Sequence, residues 1–213
     1  MKTVIYSSIY GDYDKPINQC IKRVPILFTD KKYDCHWKVK IKKRPEKSNR
    51  MKAKYFKVNS HKELDCDVSI YIDGCGTIKT GKFLKLCLEL LGDNDIAVFR
   101  HHERNCIYKE AEFCKNFEKY KGVDIMAQVN AYRELGWQEE AGLWACGLII
   151  RRHNKKVEKF NGLWWKHIKT YTYQDQLSFP VCVKESCVKL KTIDMDLNNN
   201  NLITFLTPHA RLD

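Results

Sequence analysis

Short apolar blocks separated by turn residues fill the first half of the chain. Thr3–Tyr10 ("TVIYSSIY") is β-branched and aromatic-rich and closes on "GDYDKP", which predicts an opening strand. Val24–Asp30 ("VPILFTD") is a second apolar run, and His36–Lys42 ("HWKVKIK") alternates like a strand with one wet face. Ser48–His61 reads as a helix with Met51, Tyr55 and Phe56 on one side. Asp67–Asp73 ("DVSIYID") is apolar almost throughout, the pattern of a central strand covered on both faces. Phe83, Leu84, Cys87, Leu88 and Leu91 stripe a helix over Gly81–Leu91, and Asp95–His102 is a further strand.

The second half is richer in helix. Cys106–Tyr120 and Val123–Leu135 have helical character and are split at Gly122; Leu143–Arg152 is a strand. Val157, Phe160, Trp164 and Ile168 recur at helical spacing. Tyr173–Val183 is expected as a short helix stopped or kinked at Pro180. Four asparagines, Asn198–Asn201, predict a turn or tether before the last apolar piece, "LITFLTPHARLD". Alternating strands and helices predict an α/β sandwich with a mostly parallel central sheet. Ligands in such sheets bind beyond the carboxyl ends of strands, near a switch point. Asp12, Asp30, Asp73 and His101 all follow predicted strand ends, so parallel strands would bring them to one crevice.

Composition narrows the class. The chain has 213 residues, 44% apolar and 30% charged, which fits one large globular domain or two small ones, and a single domain over residues 1–213 is expected. No apolar run is long enough to span a bilayer. The N-terminus turns acidic too soon for a signal peptide. With ten cysteines and no CxxC spacing, zinc ribbons and fingers are excluded, and free thiols in a reducing compartment are expected. That compartment would be the cytoplasm. The net charge of +12 favours anionic partners. Lys38–Lys57 alone holds ten Lys or Arg and one acid, which as a bare pattern is a solvated basic face. Nucleic acid is the next reading of that charge, but the chain has no zinc finger, no basic region with heptads and no RNA-binding aromatic motif.

Three stretches carry chemistry. In "SIYIDGCG", Ser69–Gly76, an acid ends a buried strand and the chain breaks on glycines. Asp73–Gly74 is equally the mark of a tight hairpin and of a carboxylate aimed at a metal and a diphosphate. In "HHERNC", His101–Cys106, the pattern imitates HExxH, but it follows a strand and lacks the second histidine, which excludes a zinc protease. His101 and His102 there are either a polar strand end or donors to sugar or phosphate oxygens. In "DQLSF", Asp175 and Gln176 sit beside an apolar anchor, where Asp175 either caps the helix or accepts a proton or a sugar hydroxyl. Trp144, Trp164 and Trp165 are core by preference, with one exposed indole available for stacking on a sugar.

The order of "VIYSSIYGDYD", "KYFKVNSHK", "IYIDG", "HHERNCIYKEA", "WACGLIIRRHN", "WWKHI" and "DQLSF" resembles a family of glycosyltransferase-like proteins. The family includes plant proteins linked to cell-wall and mucilage polysaccharides, and the N-terminal domain of a chlorella-virus glycosyltransferase looks closer still. The resemblance spans roughly Val4 to Phe179. It implies a GT-A fold, with a nucleotide-sugar half over about residues 1–100 and an acceptor half over about 101–213, and it leaves open that this domain begins a longer protein. It implies a nucleoside-diphosphate sugar, a UDP-sugar by preference, and a divalent metal, manganese or magnesium. It favours a metal site at Asp73, although the Asp-x-Asp of such enzymes reads here Asp73-Gly74-Cys75, and a thiol is a poor ligand for a hard ion. His209, late in the chain, is the expected second metal ligand. Asp194–Asp196 ("DMD") comes too late to serve and is read as a decoy. Tyr10, Gly11, Asp12 and Asp30 are expected around the base and ribose, and Arg50 and Lys54 around the diphosphate. His102, Trp144, Asp175 and Gln176 are expected to steer a glycan or glycoprotein acceptor, with retention of configuration weakly favoured. The alternative is a non-catalytic module binding nucleotides or nucleic acid.

Overall fold

The computed structural model describes residues 1–205. Its seven-stranded sheet has the spatial order β3-β2-β1-β4-β7-β6-β8. These strands are β1 (Thr3–Ile9), β2 (Ile26–Thr29), β3 (Lys38–Ile41), β4 (Val68–Ile72), β6 (Ile96–Arg100), β7 (Trp144–Arg152) and β8 (Leu190–Ile193). β7 pairs antiparallel with β4 and β6, and every other pairing in the sheet is parallel. The sheet is therefore mostly parallel with one reversed strand. The chain moves outward from β1 to β2 and β3, then returns to place β4 on the other side of β1. That reversal is the switch point of a doubly wound sheet.

Period-2 alternation distributes the strands' side chains between two cores. Ile5, Val68, Ile70, Ile72, Leu148 and Ile150 pack on one face against Phe83, Cys87 and Leu91 of α3 (Phe83–Leu91). Tyr6, Tyr71 and Ile149 face the other way. There they meet Phe56 and Val58 of α1 (Asn49–Val58), Phe160, Trp164 and Ile168 of α6 (Lys155–Thr170), and Phe179 and Cys182 of α7 (Asp175–Ser186). Phe56 stacks between Phe28 and Tyr10, with ring centroids 4.5 and 5.6 Å away. A third cluster ties α4 (Ile107–Cys114) and α5 (Ile125–Glu134) to Leu177 and Val181 of α7.

Several local expectations are corrected. α7 does not stop at Pro180 but runs through it to Ser186. Pro180 lies in its second turn, near enough to the N-terminus that few ladder bonds are lost. The predicted helix Cys106–Tyr120 is α4 followed by a separate 3₁₀ turn at Glu118–Tyr120. Asp73–Gly74 does turn the chain, with the Gly76 N–H donating to the Asp73 carbonyl at 2.8 Å. It makes no hairpin, however, because β5 (Gly76–Ile78) pairs with β9 (Ile203–Phe205) instead of with β4. The short helix α2 (Ser60–Glu63) completes the element list. All ten cysteines are free thiols.

Candidate active site

α1 brings cations to the carboxyl edge of the sheet. Ser48 starts the helix by accepting from the Met51 N–H. Arg50, Lys54 and Lys57 follow at i, i+4 and i+7, so they share one face. That face borders a cleft of about 980 Å³. The loop after β1 contributes Tyr10, Tyr13 and Asp14; the end of β4 contributes Asp73, Gly74 and Cys75; the start of α7 contributes Asp175 and Gln176; and His101 and His102 follow β6.

At the cleft floor Lys57 joins two acids. Its ammonium is 3.1 Å from Asp73 Oδ1 and 2.9 Å from Asp175 Oδ2. Lys54 adds a second contact to Asp175 Oδ2, at 2.7 Å. Lys57 and Asp175 are nearly inaccessible, whereas the Asp73 side chain keeps 39% of its surface exposed toward the cleft. Burial alone would raise the Asp175 carboxyl, but the Lys54 and Lys57 ammoniums override it and hold it at about 2. Burial lowers Lys54 against the pull of Asp175. For Lys57 burial is overridden, and the charges of Asp175 and Asp73 carry it well above the ordinary lysine range. Asp175 opens α7 rather than capping it, since Gln174 occupies the N-cap. The carboxylate still sits in the first helical turn, where negative charge is favoured. So strong an acid is a poor proton acceptor near neutrality.

Asp14 is a second acid beside Asp73. Burial, then the Asp73 charge, raise its carboxyl, and Arg50 opposes them. Gly74 permits this approach: a Cβ there would lie 2.9 Å from Ile9 Cγ1 and 3.1 Å from Asp14 Oδ2. Asp73 and Asp14 thus offer hard oxygen donors on one wall, and like charges so placed favour a cation between them. The pair fits a magnesium or manganese ion shared with substrate phosphates, which takes one or two carboxylates. It does not make a closed cage, as no group of three or more His, Cys, Asp or Glu suited to a metal occurs among the described residues. Cys75 does not substitute for the missing second acid. Burial, then the charges of Asp73 and Asp14, push its thiol up to about 12, so it stays protonated. His209 lies outside the described residues.

The remaining predicted residues divide. Tyr10, Arg50, Lys54, Asp73, His102, Asp175 and Gln176 line the cleft, whereas Gly11, Asp12 and Asp30 do not. Asp30 accepts the Gly11 N–H at 3.0 Å, and that glycine's positive φ of 70° suits the turn. Asp12 is exposed and paired with Lys31. These three therefore shape the loop after β1 instead of reaching into the cavity. Trp144 lies in a neighbouring groove and donates from Nε1 to Thr192 Oγ1 at 3.0 Å. Its carbonyl accepts from Gln176 Nε2 at 3.1 Å, which orients the Gln176 amide. His101 Nδ1 accepts the Arg104 N–H at 3.1 Å, and its ring stacks on His102 at 5.2 Å. Asp194, of "DMD", is paired with Arg100 at 2.7 Å on the loop after β8.

Sequence reasoning overlooked Lys57 and Asp14. The i, i+4, i+7 spacing of α1 was signal enough for Lys57. Asp14 has no such signal, since it depends on how the β1 loop folds back over Gly74.

A doubly wound, mostly parallel sheet with an acid-and-lysine cleft at its carboxyl edge defines an α/β domain of the GT-A type. The chain belongs to the TOD1/MUCI70 glycosyltransferase-like domain family, whose model matches residues 2–204. In fold it is similar to a CMP:2-keto-3-deoxy-manno-octonic acid synthetase complexed with CTP. The TM-score is 0.50 and the identity 10%, over 92% of this chain and 90% of that one. It is also similar to the apo form of the bifunctional glycosyltransferase WbbM, at TM-score 0.48 and 13% identity, over 90% of this chain and 39% of that one. No curated protein matches the chain. Among the described residues no helix is long and apolar enough to cross a membrane.

Proposed function

We propose that the chain is a glycosyltransferase that moves a sugar from a nucleoside-diphosphate donor, a uridine one by preference, to a hydroxyl of a glycan or glycoprotein. The observation that carries this reading is the pairing, across one cleft, of the Asp73–Asp14 wall with Arg50 and Lys54 of α1. The first hundred residues form the donor half and the remainder the acceptor half.

Asp73 and Asp14 would hold manganese or magnesium together with the donor phosphates; when bound, the ion neutralises charge on the departing diphosphate. Arg50 and Lys54 face the same phosphates and stabilise the same charge. Tyr10 and Tyr13 flank the nucleoside from the β1 loop, which Gly11, Asp12 and Asp30 keep in shape. On the opposite side His102 and Gln176 orient the acceptor hydroxyl, with Gln176 fixed by the Trp144 carbonyl. Asp175 acts as a fixed anion that holds Lys54 and Lys57 in place.

The test is a thermal-shift panel of nucleotide sugars with manganese and with chelator, followed by donor hydrolysis. A ligand that binds only the folded state raises its melting temperature by mass action. A manganese-dependent shift with a UDP-sugar and slow release of free sugar support a transferase. A nucleotide shift with no sugar released under any condition favours a binding module, for which Cys75 in place of a second acid is the supporting observation.

A further inference from the structure

Arg151, on β7, is fully buried and has no carboxylate partner among the described residues. A buried cation is strongly unfavourable unless polar groups satisfy it. Here two of the four groups that do so are carbonyls at the end of α1. Arg151 Nη1 donates to the Val58 carbonyl at 3.1 Å and Nη2 to the Lys57 carbonyl at 2.5 Å. Nη1 also donates to Asn161 Oδ1 of α6 at 2.9 Å, and Nη2 to the Tyr6 hydroxyl at 2.5 Å. The Tyr6 hydroxyl in turn donates to the same Lys57 carbonyl, at 3.0 Å. Lys57 and Val58 are the last two residues of α1, where free carbonyls and the helix dipole attract positive charge. The guanidinium fork thus clamps α1 behind the residue whose side chain crosses the cleft floor.

We infer that Arg151 is a positioning residue for the cleft: it fixes the last turn of α1 so that the Lys57 ammonium spans Asp73 and Asp175. Lys57 keeps only 2% of its side chain exposed at the cleft floor, and both acids it contacts line the cleft, so it acts on the cleft by setting where the two carboxylates lie. A lysine in place of Arg151 supplies charge without the planar fork, and cannot hold two carbonyls, an amide and a phenol at once. The inference deepens the proposed donor site, and its first readout is independent of that proposal.

The experiment compares wild type, Arg151→Lys, Arg151→Met and Tyr6→Phe with two controls. Arg152→Met alters the neighbouring strand position, whose side chain donates to the Asn94 carbonyl instead. Val129→Ala lowers stability from the separate cluster around α5. Each protein is treated with an amine-acylating reagent below its melting temperature, and Lys57 labelling is read by peptide mass spectrometry. Uridine diphosphate binding with manganese is then measured by calorimetry. Arg151→Lys and Arg151→Met should label Lys57 about tenfold faster than wild type and weaken diphosphate binding about tenfold, as expected for loss of charge-assisted bonds worth roughly 1.4 kcal/mol or more. Tyr6→Phe should give a smaller change in the same direction, and it carries the test if neither Arg151 variant folds. Lys57 protection equal to wild type in the folded Arg151 or Tyr6 variants overturns the inference. So does equal deprotection in Val129→Ala at matched melting temperature. If wild type binds no nucleotide but Lys57 labelling responds as expected, the positioning role stands and the donor proposal fails.

Discussion

The Lys57 ammonium stands 2.9 Å from Asp175 Oδ2, with only 2% and 4% of the two side chains exposed. Asp73, on the far side of the same ammonium, is the more open acid. One lysine therefore separates a carboxylate locked in the interior from a carboxylate available to ligands. That division assigns different consequences to losing each acid.

Asp73→Asn should leave the fold intact, because its side chain is partly exposed and contributes no core packing. It should remove sugar transfer and weaken manganese affinity by about tenfold or more, the usual penalty for disturbing a metal site. Circular dichroism and calorimetric titration of manganese in the presence of uridine diphosphate check both halves. Turnover near wild type with manganese present would show that the cation is held elsewhere.

Asp175→Asn should instead reach the whole fold. It leaves two lysines near the cleft floor without their shared anion, and breaking a buried pair costs roughly 3–5 kcal/mol. The pH dependence follows from the direction of the shift. The folded-state carboxyl is depressed from 3.8 to about 2. Its contribution is therefore fully present above about pH 4 and is lost as pH falls toward 2. Wild type should lose on the order of 2 kcal/mol across that window from this group alone. Urea midpoints from pH 5 to pH 2 should fall for wild type more steeply than for Asp175→Asn. Parallel slopes would mean that Asp175 is not ionised by its lysines.

Much of this arrangement was legible in the sequence. The apolar run Val68–Ile72 marked a central strand, and the acid after it marked the cleft, because burial on both faces leaves few other uses for such a pattern. Arg50 and Lys54 were legible from their place on the preceding helix. What was not legible depends on long-range pairing. β7 reads as an ordinary strand, and nothing local reveals that it runs against its neighbours. The partner of Gly76–Ile78 lies at Ile203–Phe205, so the Asp73–Gly74 turn and a hairpin look alike in sequence. Asp30 and Asp12 follow strand ends as Asp73 does, yet one is spent on the Gly11 N–H and the other on Lys31 at the surface. Arg151 reads as a strand-edge charge in "IIRRHN", and only the approach of α1 turns it inward.

Thiol chemistry should separate the ten cysteines cleanly. Alkylation of the unfolded chain without reductant should label all ten, since none is paired. In the native protein Cys20 and Cys187 should react first, because they alone are exposed. Cys66 and Cys75 should be slow, as burial pushes their thiols up to about 11 and about 12 and little thiolate forms near neutrality. Peptide mass spectrometry over a time course reads the order. Fast labelling of Cys75 would place that thiol in a more open cleft than the one described.

The net charge of +12 raises a last question, whether the positive surface serves a polynucleotide or a diphosphate. The basic stretch Lys38–Lys57 is not a continuous face. Lys57 is buried and paired with acids; Arg50 and Lys54 line the cleft; and Arg44 is turned to Glu46 and the Tyr55 ring. A duplex bound by such a region would release many counterions, and its affinity would fall steeply with salt. A diphosphate held by Arg50, Lys54 and one divalent ion involves few charges, so its affinity should depend modestly on salt and strongly on the ion. Uridine diphosphate and a short duplex should therefore be titrated at two salt concentrations, with manganese and with chelator. The expected result is nucleotide binding that chelator abolishes and salt weakens little, beside duplex binding that is weak and vanishes at the higher salt. Tight duplex binding indifferent to chelator, with no measurable nucleotide binding, would reverse the assignment, because the acid wall of Asp73 and Asp14 would repel a polyanion that no cation bridges to it.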